Sequence, residues 1–229
     1  MKGSYKAVFG LVVVSFLVAG VFLAFMPDRV PMHYNAAGGI DRMGSKYEYL
    51  LLPTITAALA GFFVILAKYQ ARKGESGTEK AAMVSGIAVL AFLIVLEVYI
   101  LWKAAAYSPN ADGQAPEFLR LAAFGLGALF IIIGNIMPKA SRNSIFGLRT
   151  CWSMKNDEVW RRCQRFGGCS AVVCGIMMII CGIAFSGLAA ACALAGLIVI
   201  MLTADVAASY LIYKRWRLEA GLGLSLIHI

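Results

Sequence analysis

Six times in its 229 residues the chain runs for about twenty residues with almost no charge. These runs cover roughly 6–26, 49–68, 82–103, 118–137, 167–186 and 188–213. Crossing about 30 Å of hydrocarbon takes about 20 residues of helix, at a rise of about 1.5 Å each. Only a helix satisfies every backbone polar group within a single segment, so the expected fold is all-α: a polytopic membrane protein with six transmembrane helices. Composition agrees, because 61% of the residues are hydrophobic and 14% charged, where an average soluble domain has about 45–50% and about 25%. The last two spans are separated only by Ser186 and Gly187, which requires a tight hairpin.

Charge sets the orientation. The N-terminus, the 68–80 and 138–166 connections and the basic run Lys214, Arg215, Arg217 together hold sixteen Lys and Arg residues. The opposite side holds five, Arg29, Arg42, Lys46, Lys103 and Arg120. By the positive-inside rule both termini are cytoplasmic. Tyrosines and tryptophans near the span ends, among them Tyr49, Tyr69, Trp102 and Trp216, fit an interfacial aromatic belt. The net charge of +9 sits at the ends of apolar runs and not along one soluble face, which excludes direct nucleic-acid binding as its reading and points to anionic lipid. The segment 1–26 has no small-residue cleavage pattern and reads as a first span that also directs insertion.

Candidate chemistry is sparse. The six cysteines form no C-x-x-C pair, and four lie within or at the edge of apolar runs, where cysteine acts as a small hydrophobe. No zinc-protease, nucleophile-elbow or P-loop motif occurs, so no enzyme, cofactor or metal site is expected. Glu97 and Asp205 stand inside spans, where an Asp costs about 2.5–3.5 kcal/mol to insert, so both should face the bundle interior. They either lock helix packing or serve a proton or ion path. Gly182 and Ser186, and Cys192 and Gly196, stand four apart and are candidates for close helix contact.

Two connections carry more information. In the loop 27–48, Pro27 and Pro31 hold the chain extended, and Asn35, Gly38, Gly39 and Gly44 permit compact turns. Its polar groups His33, Asn35, Asp41 and Lys46 either bond backbone in a folded cap over the helix ends or belong to a surface that contacts an extracytoplasmic ligand. In the loop 138–166, Pro138 ends the fourth span, Gly147 allows a tight turn and Asn156 caps a short helix that opens with Asp157 and Glu158. Val159, Trp160, Cys163 and Phe166 recur at helical spacing while Arg161, Arg162 and Arg165 point elsewhere, the pattern of an amphipathic helix lying on the membrane surface. That helix either anchors the loop or offers a docking surface to a cytoplasmic partner.

The second connection also has a signature. Gly134, Asn135, Met137, Pro138 and Lys139 are followed by Asn143, Gly147, Leu148, Arg149, Thr150 and Trp152, and then by Val159 and Trp160. This resembles the SdpI family of bacterial membrane proteins, which reads G-N-x-M-P-K, N-x-x-x-G-[IL]-R-T-P-W and V-W; Cys151 stands where proline is usual. Pro27 to Pro31, His33, Asn35, Gly38 and Gly44 to Lys46 look like the domain of unknown function that commonly precedes it.

The resemblance implies a multi-pass protein of the bacterial plasma membrane that protects a producer from its own secreted toxic peptide. It also implies signalling, in which toxin engagement lets the protein hold a small DNA-binding repressor at the membrane. On that reading His33, Asn35 and Asp41 contact the toxin outside. Asn143, Gly147, Arg149, Thr150, Trp152, Trp160, Arg161 and Arg162 form the inner partner surface. The alternative is a small transporter or ion-coupled permease using Glu97 and Asp205. The expected organisation is a two-helix unit, 1–69, followed by a four-helix SdpI-like region, 81–217. The tail 221–229 is expected to be partly non-native, because its last six residues match a translation of a sequencing-library transposon end; His228 is assigned no role.

Overall fold

The computed structural model describes residues 2–35, 39–74, 76–107, 115–143 and 145–227. Its six long helices are α1 (Lys2–Phe25), α2 (Leu51–Arg72), α3 (Ser76–Ala105), α4 (Ala115–Ile136), α5 (Asp157–Ala184) and α6 (Gly187–Ile227). Each contains a segment long and apolar enough to cross a membrane. His228 lies outside the described residues, and the rest of the tail to Ile227 continues α6.

Among the described residues, the one β element is the connection between α1 and α2. Strands β1 (Arg29–Tyr34) and β2 (Ile40–Ser45) pair antiparallel, with register irregularities on either side of His33. The prolines and glycines of this loop therefore shape a hairpin. A 3-10 turn, Lys46–Leu50, leads into α2. Its Ser45 and Glu48 form a capping box, in which each side chain bonds the other residue's backbone N–H.

Helices α1, α2 and α3 enclose one apolar core around Val8, Ala60, Ala67, Met83 and Leu90. Nearer the hairpin, Ala19 and Met26 of the α1 side meet Leu101 and Ala104 of α3 around Val30, which is fully buried. Helices α4, α5 and α6 share a second bundle around Ala123, Cys174, Met178 and Leu194. Helix α3 also packs along α4, joining the two bundles.

The tightest packing in the second bundle is between α4 and α5. A Cβ on Gly127 would lie 2.6 Å from the Gly175 carbonyl oxygen, and one on Gly175 2.5 Å from that of Gly127. Gly134 and Gly168 are related in the same way at 2.6 Å each. Both pairs repeat at a seven-residue interval, so the two backbones touch along one antiparallel seam; without a hydrophobic drive in lipid, such van der Waals contact is what holds helices together. Gly182 joins the seam against Ala123, but Gly196 faces open space and Ser186 and Cys192 are exposed. Three of the four small residues expected at helix contacts are thus not at one.

The hairpin between α5 and α6 is as short as its sequence demands, with Gly187 at φ 55° making the reversal. The end of α4 is also as expected: Pro138 sits in a 3-10 turn, Met137–Lys139, that closes the helix. The amphipathic surface helix is not found. Residues 157–166 are the first turns of α5, continuous with its membrane span and capped by Asn156, whose Oδ1 accepts from the Val159 N–H at 2.9 Å. Val159, Trp160 and Cys163 pack inside the protein, so their periodicity marks an internal face.

Candidate functional site

The loop between α4 and α5 is folded by a chain of side-chain bonds. Asn143 organises its first turn: its Oδ1 accepts from the N–H groups of Ile145 and Phe146 at 2.8 and 2.6 Å, and its Nδ2 donates to the carbonyls of Ser141 and Phe146. Gly147 follows at φ 98°, and a Cβ there would collide with the Gln164 side chain. That amide copies a strand partner, accepting from the Leu148 N–H and donating to the Leu148 carbonyl, each at 2.9 Å. Thr150 and Ser153 then bond reciprocally, each hydroxyl accepting the other's backbone N–H at 2.9–3.0 Å. This pair closes the turn that carries Cys151, which is exposed in the position where proline is usual.

The folded loop is fastened to three helices. Thr150 donates to Ser209 of α6 at 3.0 Å, and Trp152 meets Tyr210 edge to face at 5.2 Å between centroids. Trp160 of α5, 1% exposed, donates its indole N–H to the Ala140 carbonyl at 2.9 Å. On the far side, Thr78 at the start of α3 bonds the Ser141 hydroxyl at 2.9 Å, and Gly77 lies against the Lys139 carbonyl.

The eight residues expected to face a partner therefore divide. Asn143 and Trp160 are buried, and Gly147, Thr150 and Trp152 are half-buried, so all five build the loop or dock it. Arg162 bridges Glu158 at 2.6 Å and Glu219 of α6 at 3.0 Å, and Trp216 also donates to Glu158. Arg149 and Arg161 are exposed.

At the other end of the molecule, His33, Asn35 and Asp41 are brought together near the hairpin tip. His33 Nδ1 and Asp41 Oδ1 lie 2.6 Å apart across the strands, and Asn35 Oδ1 accepts from the Gly39 N–H at 2.9 Å. All three are exposed; residues 36–38, Gly38 among them, lie outside the described residues. The hairpin root is fixed by Lys46, one of the loop's expected polar groups, together with Asp28, Tyr49, Arg42 and Glu48. Lys46 reaches the Met26 carbonyl at 3.2 Å and Asp28 at 3.1 Å, Tyr49 donates to the Pro31 carbonyl, and Arg42 pairs with Glu48. The S-x-x-E spacing of Ser45 and Glu48 before an apolar run was the available signal for part of this.

The intramembrane acids each bond a serine on a neighbouring helix. Ser15 of α1 donates to Glu97 of α3 at 2.5 Å, and Ser170 of α5 donates to Asp205 of α6 at 2.6 Å. Glu97 is 2% and Asp205 5% exposed, and the two belong to different bundles.

Six spans, a hairpin at one end and a folded basic loop at the other define a multi-pass protein of the bacterial plasma membrane. Residues 139–213, from the loop through most of α6, match the SdpI/YfhL protein family, and residues 10–57, spanning α1, the hairpin and the start of α2, match the domain of unknown function (DUF1648). Each match falls on the segment whose motifs resembled it. It is similar to "Immunity protein SdpI" of Bacillus subtilis (strain 168), 24% identical over 205 residues, which are 90% of this chain and 93% of that protein. No solved structure matches.

Proposed function

We propose that the chain is a membrane immunity protein that protects its cell from a secreted antimicrobial peptide toxin and relays toxin contact to a cytoplasmic partner. The similarity to an immunity protein along nearly the full length of both chains supports the first part. With sixteen basic residues on one side against five on the other, the hairpin faces outward and the basic loop inward.

One observation carries the relay. Helix α3 is continuous from Ser76 to Ala105 and engages both ends of the molecule. Leu101 and Ala104 pack on the hairpin root through Val30, and Thr78 bonds the inner loop at Ser141. A ligand that favours one position of the hairpin acts on the loop only if some element feels both, and α3 does. Toxin contact falls to His33, Asn35 and Asp41. A small DNA-binding repressor held inside would meet Arg149 in the frame set by Asn143, Gly147, Thr150, Trp152 and Trp160. The serine bond made by each intramembrane acid supports a packing role for Glu97 and Asp205 over a shared ion path.

Expression in a toxin-sensitive strain tests the reading. Survival should rise on challenge with peptide toxins secreted by producers of SdpI-type proteins, and unchanged killing by all of them removes immunity. Arg149→Ala and Trp152→Ala should abolish recruitment of the repressor to membranes while leaving insertion intact; full recruitment by both variants removes the relay.

A further inference from the structure

We infer that Arg161 and Arg165 form a headgroup site for one anionic phospholipid in the leaflet on the basic-loop side, a role outside the immunity reading. The two arginines stand one helical turn apart on α5 and are exposed. Nearby carboxylates are already engaged: Glu158 bonds Arg162 and Trp216, and Asp157 pairs with Arg142 at 2.8 Å. No ion pair among the described residues takes up Arg161 or Arg165, so two guanidinium groups remain to meet a phosphate.

The ridge that carries them turns apolar directly below. Exposed positions continue through Cys169, Val173, Ile176, Ile180 and Ile183, the last four 47–68% exposed. One acyl chain can lie along that ridge while its headgroup sits on the arginines. Depth fits as well. Arg165 lies nineteen residues from Ala184 at the far end of α5, about 28 Å, and Arg161 about 34 Å. With about 30 Å of hydrocarbon, the pair falls at the level of the phosphates and not within the acyl region. A protein partner is the less suited occupant of Arg161, because the same face passes into lipid about two turns on, at Cys169.

Native mass spectrometry of the full chain, titrated with equal amounts of phosphatidylglycerol and phosphatidylcholine of the same acyl chains, tests this. Each arginine near anionic headgroups contributes about five-fold, so the wild type should retain phosphatidylglycerol roughly 30-fold in preference. Arg161→Gln and Arg165→Gln should each cut that preference about five-fold, and the double variant should abolish this component. Lys155→Gln, exposed in the loop but off the ridge, should leave it unchanged. No preference in the wild type, equal preference in both single variants and the wild type, or an equal loss in Lys155→Gln would overturn the site. The single variants decide the matter even where the double variant does not fold.

Discussion

Gln164 shows how much of the α4–α5 loop rests on one side chain. It is fully buried in a helix, yet its amide serves the backbone of Leu148, sixteen residues earlier, while Gly147 leaves the room that a Cβ would fill. Replacing it with leucine keeps the volume and removes both bonds. The Leu148 N–H loses its partner, at about 1–3 kcal/mol, while its carbonyl keeps only the Ser153 hydroxyl at 2.9 Å. Gln164→Leu should therefore lower the thermal midpoint and open the 145–153 segment to protease, with membrane insertion unchanged; a wild-type cleavage pattern would count against this account. Gly147 was legible as a turn because glycine announces positive φ. Gln164 was not, because a glutamine between Cys163 and Arg165 carries no sign of a partner in a distant loop. The same blindness assigned Asn143 and Trp160 to a partner surface: their residue types suggested recognition, whereas the bonds they make are internal. Of the loop residues expected to face a partner, Arg149 is the one that is exposed.

Among elements, α5 does the most and was read least completely. Its apolar repeat at Val159, Trp160 and Cys163 was visible, but a repeat names a buried face without saying whether lipid or protein covers it. The Asn156 cap was legible from its side chain and from the acids that follow it, and the structure keeps it. The glycine seam with α4 was missed for a different reason. Gly127 and Gly134, and Gly168 and Gly175, are seven apart within each helix, so no four-residue motif marks them, and their pairing appears only when the antiparallel register is known. Overfilling a tight contact costs typically about 1–3 kcal/mol, and here both obstacles are backbone oxygens that cannot turn away. Gly168→Val should destabilise the α4–α5 pair by at least that amount in a thermal or denaturant titration. Gly196→Val, which meets nothing within 4 Å, should change stability by less than about 0.5 kcal/mol. Equal losses at the two positions would contradict the seam.

For the molecule as a whole, six spans were plain in the sequence because hydrocarbon thickness dictates length and helix dictates hydrogen bonding. Their packing was not, since hydropathy carries no information about which helices touch: the expected two-helix and four-helix units group α3 with α4–α6, whereas its Met83 and Leu90 share a core with α1 and α2. The account depends on α3 as the joint. If α3 couples the hairpin to the α4–α5 loop, loosening one end must change the other, and cutting the joint must cancel the effect. Lys46→Met loosens the hairpin root, and Thr78→Val removes the bond to Ser141. Cys151, exposed at the turn of that loop, reports on the far end. The decisive measurement is the rate at which a membrane-impermeant maleimide labels Cys151 in inverted vesicles of the wild type, each single variant and the double variant. Coupling predicts that Lys46→Met changes the rate in the wild-type background and leaves it unchanged in the Thr78→Val background. A Lys46→Met effect that is absent in the wild type, or equally large in both backgrounds, would contradict it.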